Sequence, residues 1–191
     1  MGKLAEEIMD QILAKAHQIG IQQVGAEFKE ALRIVQQLQP KNFLEIGTYL
    51  GGTFYAWSQY ASGKKISIDK PYEGQDYLTG EKLARHDAKI KSLVLGAIMI
   101  YADSHDPVTV SKLKEILNGE SLDFLFVDGD HNGAKRDYDD YQGFVKNGGI
   151  IMFHDIDGPV QNDWKLISQT NLKIKTITNN TGLGGFGIIF K

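Results

Sequence analysis

Cysteine is absent from the 191 residues of this chain. Its absence excludes disulfide frameworks, cysteine-ligated zinc, iron–sulfur clusters and thiol nucleophiles, and it fits a reducing compartment. Long apolar runs are absent as well, since no stretch approaches the roughly 18 consecutive apolar residues of a membrane helix. The first ten residues also lack the apolar core of a signal peptide. We therefore expect a cytoplasmic protein without a membrane partner.

An excess of either charge is missing too. The chain has 21 Lys+Arg and 24 Asp+Glu residues and a net charge of -3, so no basic surface argues for a nucleic-acid partner. Hydrophobic residues make up 42% and charged residues 24% of the chain, as in an ordinary globular protein. This length predicts one compact domain, and we expect a small molecule as its ligand.

Two amphipathic helices are predicted at the N-terminus. Apolar residues recur at helical spacing over residues 3–19, and again from Phe28 until Pro40 ends the second helix. We interpret residues 1–39 as a helical segment and residues 40–191 as the main domain. The apolar face of the first helix predicts a lid, a contact in a homo-oligomer, or packing on its own domain.

Short apolar runs alternate with helix-like segments through the middle of the chain. Runs such as residues 124–127 are continuously apolar, which is typical of parallel strands covered by helices on both faces. The predicted strands are residues 43–46, 65–68, 97–101, 122–127 and 149–153, and the predicted helices are residues 53–60, 81–95, 107–117, 133–145 and 159–169. The pattern predicts a doubly wound, Rossmann-like α/β fold.

Two segments depart from this alternation. Residues 172–178 alternate in polarity, residues 179–182 carry turn signals, and residues 186–190 are apolar, so the chain is predicted to end in a hairpin. Residues 70–80 contain Pro71, two Gly and two Tyr. We interpret this excursion as a lid or substrate loop.

Ligands of open α/β sheets bind beyond the carboxyl ends of the strands. The first predicted strand ends in residues 45–53, where Gly47 and Gly51 follow Glu45 and precede a helix. Such glycines let the backbone turn tightly and approach a nucleotide-like ligand, although they also serve a plain strand-to-helix turn. The spacing differs from the G-x-G-x-x-G fingerprint of dinucleotide binding, so NAD is disfavoured.

Acidic residues end the next two strands. Asp69 follows Glu45 by 24 residues, near the separation of roughly 20 at which an acid binds a ribose hydroxyl in nucleotide-binding folds. Its alternative role is a turn before Pro71. Asp103 and Ser104 end the third strand, where they either hold an adenine amino group or cap the next helix.

Acids and imidazoles end the fourth and fifth strands together. Asp128 and His131 follow one strand, and His154 and Asp155 close the next. Neighbours of this kind offer carboxylate and imidazole ligands for a divalent ion, or a general base beside one. The remaining histidines, His17, His86 and His105, are interpreted as structural. The three acids of the following helix, Asp137, Asp139 and Asp140, are interpreted as its solvated face.

These motifs together resemble a class I S-adenosylmethionine-dependent methyltransferase, over roughly residues 25–191. The resemblance is carried by Glu-Ile-Gly-x3-Gly-Gly-Thr at residues 45–53, Asp69, Phe-Val-Asp-Gly-Asp-His at 126–131 and Gly-Gly-Ile-Ile-x2-His-Asp at 148–155. The chain is most similar to the small-molecule O-methyltransferase group that includes macrolide-sugar methyltransferases and the cephalosporin hydroxylase family. The resemblance implies a seven-stranded, mostly parallel sheet whose last strand is antiparallel.

The resemblance also implies roles for individual residues. His131 occupies the position of the general base, and its acceptor is a hydroxyl of a small molecule such as a sugar or a natural-product intermediate. Asp69 is implied to bind the ribose, and Asp103 with Ser104 to face the adenine. The full implied S-adenosylmethionine set is Glu45, Gly47, Thr48, Gly51, Thr53, Asp69, Asp103, Ser104 and Asp128.

A divalent metal is the further cofactor that the resemblance suggests. Asp128 and Asp155 match the acidic ligands of metal-dependent relatives, with His154 beside them as the third. Catechol-type relatives have Asn where this chain has Ile156, and sugar-type relatives have an acid where it has His154. An imidazole favours Mn²⁺ over Mg²⁺, and an enzyme without metal stays open. The alternative functions are a non-catalytic S-adenosylmethionine-binding protein and a nicotinamide-dependent oxidoreductase.

Overall fold

The computed structural model describes residues 3–23, 25–74, 76–171, 173–178 and 184–191. Seven α-helices are present in these ranges, together with a 3-10 turn at Gln142–Phe144. The helices are α1 Lys3–Ile19, α2 Gly25–Leu38, α3 Gly52–Ser58, α4 Gly80–Leu93, α5 Pro107–Leu117, α6 Ala134–Tyr141 and α7 Gln161–Gln169. The strands are β1 Phe43–Ile46, β2 Lys65–Asp69, β3 Tyr72–Glu73, β4 Asp76–Tyr77, β5 Ala97–Tyr101, β6 Leu122–Val127, β7 Val145–His154, β8 Ile174–Ile177 and β9 Phe186–Phe190.

Seven strands form one sheet in the order β5-β2-β1-β6-β7-β9-β8. β1 pairs in parallel with both β2 and β6, whereas β9 runs antiparallel to β7 and β8. The order reverses between β1 and β6, which creates a crevice beyond their carboxyl ends. The predicted α/β sheet with an antiparallel last strand is confirmed. The predicted turn at residues 179–182 lies outside the described residues.

The central strands are mostly apolar because both faces of the sheet are covered. Phe124 and Phe126 of β6 point into a core shared with α1 to α4, and Leu125 and Val127 point into a core shared with α5 to α7. Trp57 packs edge-on against both of those phenylalanines, with ring centroids 5.4 Å apart in each case. Burial of apolar surface on both faces is the main stabilising term of this architecture.

The N-terminal helix packs on the chain's own core. Met9 and Ala16 of α1 are fully buried, while Leu4 and Ile8 on its outer side are exposed. Packing on its own domain is therefore a role of the buried face, and a lid or oligomer contact through the remainder of the helix stays a prediction. Among the described residues, no helix combines the length and apolar character that crossing a membrane requires.

The excursion at residues 70–80 is a small antiparallel hairpin of β3 and β4, in which Tyr72 pairs with Tyr77. The predicted helix at residues 133–145 ends early, because the 3-10 turn follows Tyr141 and Val145 already begins β7. A shift of register between Leu122 and Phe124 of β6 accommodates the longer β7. The prediction placed that strand's start four residues late, at Gly149, because the polar Asn147-Gly148 segment before it favours a turn in its local pattern.

Candidate active site

One cavity of about 460 Å³ opens at the carboxyl ends of the central strands. Its wall consists of the last residues of the central strands and the segments that follow them, with Thr53 of α3, Tyr72 and Tyr77 of the β3–β4 hairpin, and residues 20–23 between α1 and α2. Most of the predicted site residues line it, namely Gly47, Thr48, Thr53, Asp69, Asp103, Ser104, Asp128, His131, His154 and Asp155. Glu45 and Gly51 are not among the lining residues and support the wall from behind.

Gly47 brings the ends of β1 and β6 together. Its φ is 88°, and a Cβ atom there would lie 2.2 Å from the Asp128 carbonyl oxygen. Only glycine satisfies both the left-handed backbone and this approach of two main chains. Gly51 caps α3 with a φ of 92°, and a Cβ there would meet the Ile90 side chain at 2.4 Å.

Glu45 is a buried anchor for the turn rather than part of the cavity wall. It is fully buried, and the Thr53 hydroxyl donates to Glu45 Oε1 over 2.8 Å. Burial raises the pKa of Glu45 well above its usual range, more than the Thr53 hydrogen bond lowers it. The pair therefore ties the end of β1 to the first turn of α3.

Asp69 offers an unused acceptor to the cavity. Asp69 Oδ1 accepts a hydrogen bond from the backbone N–H of Lys70, 3.0 Å away. The buried Asp69 Oδ2 has no hydrogen-bond partner among the described residues. Burial raises the pKa of Asp69 to about 6, although backbone N–H groups of Lys70, Thr48 and Tyr49 lower it in part. A buried carboxylate oxygen without a partner is costly, and a ligand hydroxyl would satisfy it.

Asp103 is already engaged by the protein. Its Oδ1 accepts from the His105 backbone N–H at 2.9 Å, and its Oδ2 lies 3.3 Å from Lys70 Nζ. The His105 backbone hydrogen bond, with help from Lys70, outweighs burial and lowers the pKa of Asp103. Thr48, which follows β1, is buried, and its hydroxyl is in contact with the Ser67 hydroxyl of β2.

His154 lies between the two carboxylates that end β6 and β7. Its Nδ1 is 3.2 Å from Asp128 Oδ1 and 3.3 Å from Asp155 Oδ1. Burial alone would lower the pKa of His154, but hydrogen bonds and charge from Asp128 and Asp155 outweigh it and raise the pKa to about 10. Burial also raises the pKa of Asp128, against the effect of His154. A positive imidazolium thus neutralises part of this acidic cluster.

His131 is the accessible histidine of the cluster. Its side chain is 46% exposed, and its Nε2 lies 3.0 Å from Asp155 Oδ2. Burial would raise the pKa of Asp155, but His154 and His131 together lower it below its ordinary value. An ionised Asp155 beside Nε2 keeps a proton on that nitrogen, so Nδ1 is the ring nitrogen able to accept one.

Three donor atoms of this cluster also suit a divalent ion. Asp128, His131 and Asp155 each provide one, and all three lie within 4.8 Å of one another. The predicted third ligand, His154, contacts both carboxylates but lies deeper, with a side chain only 6% exposed. The predicted ligand set and the set that the geometry brings together therefore share Asp128 and Asp155. They differ in which histidine supplies the imidazole.

Sequence reasoning missed Gln23 at one rim of the cavity and Tyr49 at the other. Gln23, between α1 and α2, is buried and donates from Nε2 to Asp128 Oδ2 over 2.6 Å. No motif marks it, because its role depends on where the N-terminal segment folds back. On the opposite rim Tyr49 and Tyr72 lie with ring centroids 6.2 Å apart, and Lys70 Nζ stands 4.5 Å above the Tyr77 ring. Tyr72 and Tyr77 belong to the excursion at residues 70–80, whose interpretation as a lid or substrate loop stays a prediction.

This strand order, with a reversed final strand and acids at the ends of β1, β2 and β6, defines the Rossmann-like methyltransferase fold. The sequence profile of the family described as "Methyltransferase domain" matches residues 44–156, which is more than half of the chain. The chain belongs to this methyltransferase family, and the resemblance seen in its motifs is confirmed.

Solved structures agree on the fold. An O-methyltransferase from Bacillus cereus, solved in complex with S-adenosylhomocysteine, is 15% identical with a TM-score of 0.64, and the match covers 100% of this chain and 92% of that one. The O-methyltransferase TomG from Streptomyces achromogenes, involved in tomaymycin synthesis and solved with S-adenosylmethionine, is 13% identical with a TM-score of 0.68. That match covers 94% of this chain and 90% of TomG.

Proposed function

We propose that this protein is an S-adenosylmethionine-dependent O-methyltransferase acting on a hydroxyl of a small molecule, such as a sugar or a natural-product intermediate. The observation that carries the proposal is the His131–Asp155 pair, which faces the same cavity as Asp69 and its unpartnered oxygen. Similar structures that hold the same nucleoside group support the choice of ligand.

Each part of S-adenosylmethionine would lie against a different segment of the cavity wall. Asp69 Oδ2 would accept from a ribose hydroxyl at the end of β2, with the base over the neighbouring strand β5 and the amino-acid part over β1. The glycine turn of β1 allows the close approach of the ligand there, and the N-terminus of α3 favours a carboxylate. Asp128 closes this side of the cavity beneath the β6 end.

His131 would act as the general base. When bound, S-adenosylmethionine supplies an electrophilic methyl group on a sulfonium sulfur, and the leaving group is a neutral thioether. His131 Nδ1 would take the proton of the acceptor hydroxyl and so make its oxygen nucleophilic toward that methyl group. Asp155 stabilises the imidazolium that results. Because the leaving group needs no proton, positioning of the acceptor contributes much of the acceleration.

We propose Asp128 and Asp155 as the carboxylate ligands of a divalent cation. Ligand atoms about 3 Å apart suit an ion with bonds of roughly 2.1 Å, and His154 Nδ1 lies at such distances from both carboxylates. His154 could join them as a ligand only if the ion displaced its Nδ1 proton, since a metal binds the neutral imidazole. The ion would increase the acidity of a hydroxyl bound to it. Titration calorimetry with Mn²⁺ should show binding that Asp128→Asn abolishes and Asp139→Asn, an exposed acid of α6, leaves unchanged. The variants His154→Ala and His131→Ala assign the third ligand.

The test of the proposed function is transfer itself. The native protein is incubated with methyl-labelled S-adenosylmethionine and a panel of sugars, phenols and hydroxylated natural-product intermediates, and products are identified by mass spectrometry. O-methylation of at least one class is the expected result. Binding of S-adenosylhomocysteine with no transfer to any member would support a non-catalytic binding protein instead. The cytoplasmic location and a homo-oligomer stay predictions from the sequence.

A further inference from the structure

A second cavity, of about 330 Å³, lies between the β3–β4 hairpin and helix α4. Its volume is near the small end of the range of roughly 300–1,000 Å³ that ligand pockets occupy, so it suits a small molecule. Tyr49, Pro71 and Tyr72 line both this cavity and the larger one, and the rest of its wall belongs to this cavity alone. We call it the hairpin cavity.

One side of the hairpin cavity is aromatic and apolar. The rings of Tyr49 and Tyr72 have centroids 6.2 Å apart, and Leu50, Pro71 and Leu78 line the same cavity. Tyr49 is 39% and Tyr72 is 56% exposed, so both rings keep surface available to a ligand. Tyrosine rings of this kind favour a flat aromatic partner that can pack against them.

The side formed by α4 carries positive charge. Lys82 and Arg85 are three residues apart on one side of the helix, and both line the hairpin cavity. No described residue forms an ion pair with Arg85, whereas Lys82 pairs with Glu73 of the hairpin. The wall therefore has one carboxylate for two cations.

His86, one turn beyond Lys82 on α4, adds a neutral polar group to this wall. Burial lowers the pKa of His86, and the charge of Lys89 lowers it further against a smaller effect of Asp87. The ring packs edge-on against Tyr101, with centroids 6.1 Å apart. Its Nε2 is buried and has no hydrogen-bond partner among the described residues, which leaves one polar atom of the wall unsatisfied.

Glu73 indicates which chemical group the two cations accept. Lys82 Nζ donates to Glu73 Oε2 over 2.7 Å, and this contact, with a smaller effect from the charge of Arg85, lowers the pKa of Glu73. The side chains of Lys82 and Glu73 are 63% and 68% exposed, and exposed ion pairs contribute little to stability. A ligand carboxylate can therefore replace Glu73 at small cost, and the planar guanidinium of Arg85 can bind it through two parallel hydrogen bonds.

We propose that the hairpin cavity binds an aromatic carboxylate, with the ring against Tyr49 and Tyr72 and the carboxylate on Arg85 and Lys82 in place of Glu73. This inference goes beyond the proposed function, because no step of methyl transfer uses Glu73, Lys82 or Arg85. The site is a second one, which shares only the wall of Tyr49, Pro71 and Tyr72 with the larger cavity.

The experiment measures the Kd values of 2-naphthoate and of its neutral counterpart 2-naphthylmethanol by NMR titration of the full chain. The native protein should bind the carboxylate at least about tenfold more tightly, because charge-assisted hydrogen bonds are the stronger ones. Arg85→Gln should weaken 2-naphthoate binding at least about fivefold and leave the alcohol within about twofold. Lys89→Gln is the matched control on α4, because Lys89 is exposed and does not line the cavity.

Glu73→Gln gives a prediction of opposite sign. Removal of the carboxylate that competes for Lys82 should tighten 2-naphthoate binding at least about threefold, a gain that a loss of structure would not produce. Glu73, Arg85 and Lys89 are all exposed, so these substitutions leave the fold intact.

Three results would overturn the inference. They are no detectable binding of 2-naphthoate, equal affinity of the native protein for the two probes, and unchanged 2-naphthoate binding in both Arg85→Gln and Glu73→Gln. The last result would place the probe outside the hairpin cavity. Each of them leaves the proposed function intact, because methyl transfer is measured separately.

Discussion

At the scale of single residues, two histidines near Asp155 have opposite surroundings. His154 is buried between two carboxylates, and this contact raises its pKa to about 10. His131 contacts Asp155 through one nitrogen and is half exposed to the cavity. Because His131 is exposed to the cavity and His154 is buried behind the two carboxylates, His131 is the histidine that we propose as the general base.

Replacement of His131 by alanine should lower kcat for methyl transfer by roughly 10²–10⁴, the usual contribution of a general base. The affinity for S-adenosylhomocysteine should stay within about twofold, because the residue contacts the acceptor rather than the nucleoside. Steady-state kinetics and calorimetry measure the two effects. His17→Ala, an exposed histidine of α1 outside the cavity wall, is the control. Turnover equal to that of the native enzyme would remove His131 as the base.

Asp69 makes the stability of the ligand-free protein depend on pH. Burial raises its pKa from 3.8 to about 6, so the folded state holds the proton more tightly than the unfolded state. Its contribution is fully present below pH 3.8 and is lost as the pH rises through 6. Asp69→Asn should therefore gain stability over the native protein between pH 4 and pH 7, by at most about 3 kcal/mol.

Urea denaturation at several pH values measures this difference. The exposed Asp139→Asn should show a free-energy difference from the native protein that stays constant over the same range. A constant difference for Asp69→Asn as well would show that Asp69 keeps its ordinary pKa in the folded protein.

Single residues were also where prediction from sequence was least complete. Acids and imidazoles at strand ends were found because the topology brings all strand ends to one edge. Gln23 and Asp137 were not, because the surroundings of each depend on which side of a helix or loop meets its neighbour. The interpretation of Asp137 as part of a solvated face is wrong, since it is fully buried, with Oδ1 3.2 Å from His105 Nε2. An aspartate on a polar helix has the same local pattern whether it faces water or a buried histidine.

At the scale of elements, the glycine turn between β1 and α3 determines how near the ends of β1 and β6 come. Gly47 and Gly96 both have left-handed backbones, with φ values of 88° and 77°. They differ in surroundings, because a Cβ at Gly47 would collide with the Asp128 main chain whereas one at Gly96 meets nothing within 4 Å. Alanine substitutions at the two positions therefore separate two contributions to the loss of unfolding free energy, the strained backbone conformation and the collision of the Cβ atom.

Gly96→Ala should cost roughly 1–2 kcal/mol of unfolding free energy from its backbone alone. Gly47→Ala should cost at least about 2 kcal/mol more, and it should abolish S-adenosylhomocysteine binding because the collision separates the two loops that form the cavity. Urea unfolding and calorimetry on both variants measure these effects. Equal losses of stability, or unchanged binding by Gly47→Ala, would show that the close approach of the loops is not required.

Elements were predicted well where burial alone decides them. The runs at residues 43–46, 97–101, 122–127 and 186–190 became strands with those bounds, since a strand covered on both faces is mostly apolar. Boundaries set by tertiary contacts were predicted less well. The early end of α6 and the early start of β7 depend on a register shift beside β6 that no local pattern indicates.

At the scale of the whole molecule, the fold could be predicted from the alternation of strands and helices, and the ligand class from the residues at their ends. The acceptor could not, because no motif marks the other segments that line the cavity, such as residues 20–23 and the tyrosine rim around β3 and β4. The central claim is that the cavity binds an S-adenosyl nucleoside through Asp69. A nicotinamide dinucleotide is the main alternative ligand for a protein of this architecture.

Titration calorimetry of the native protein with S-adenosylhomocysteine and with NAD tests this claim most directly, and Asp69→Ala is the matched variant. The account predicts one molecule of S-adenosylhomocysteine bound per chain, no heat of binding with NAD, and affinity at least about tenfold weaker in Asp69→Ala, as expected for loss of a hydrogen bond to a charged group. Binding of NAD without S-adenosylhomocysteine, or equal affinity in Asp69→Ala, would contradict it.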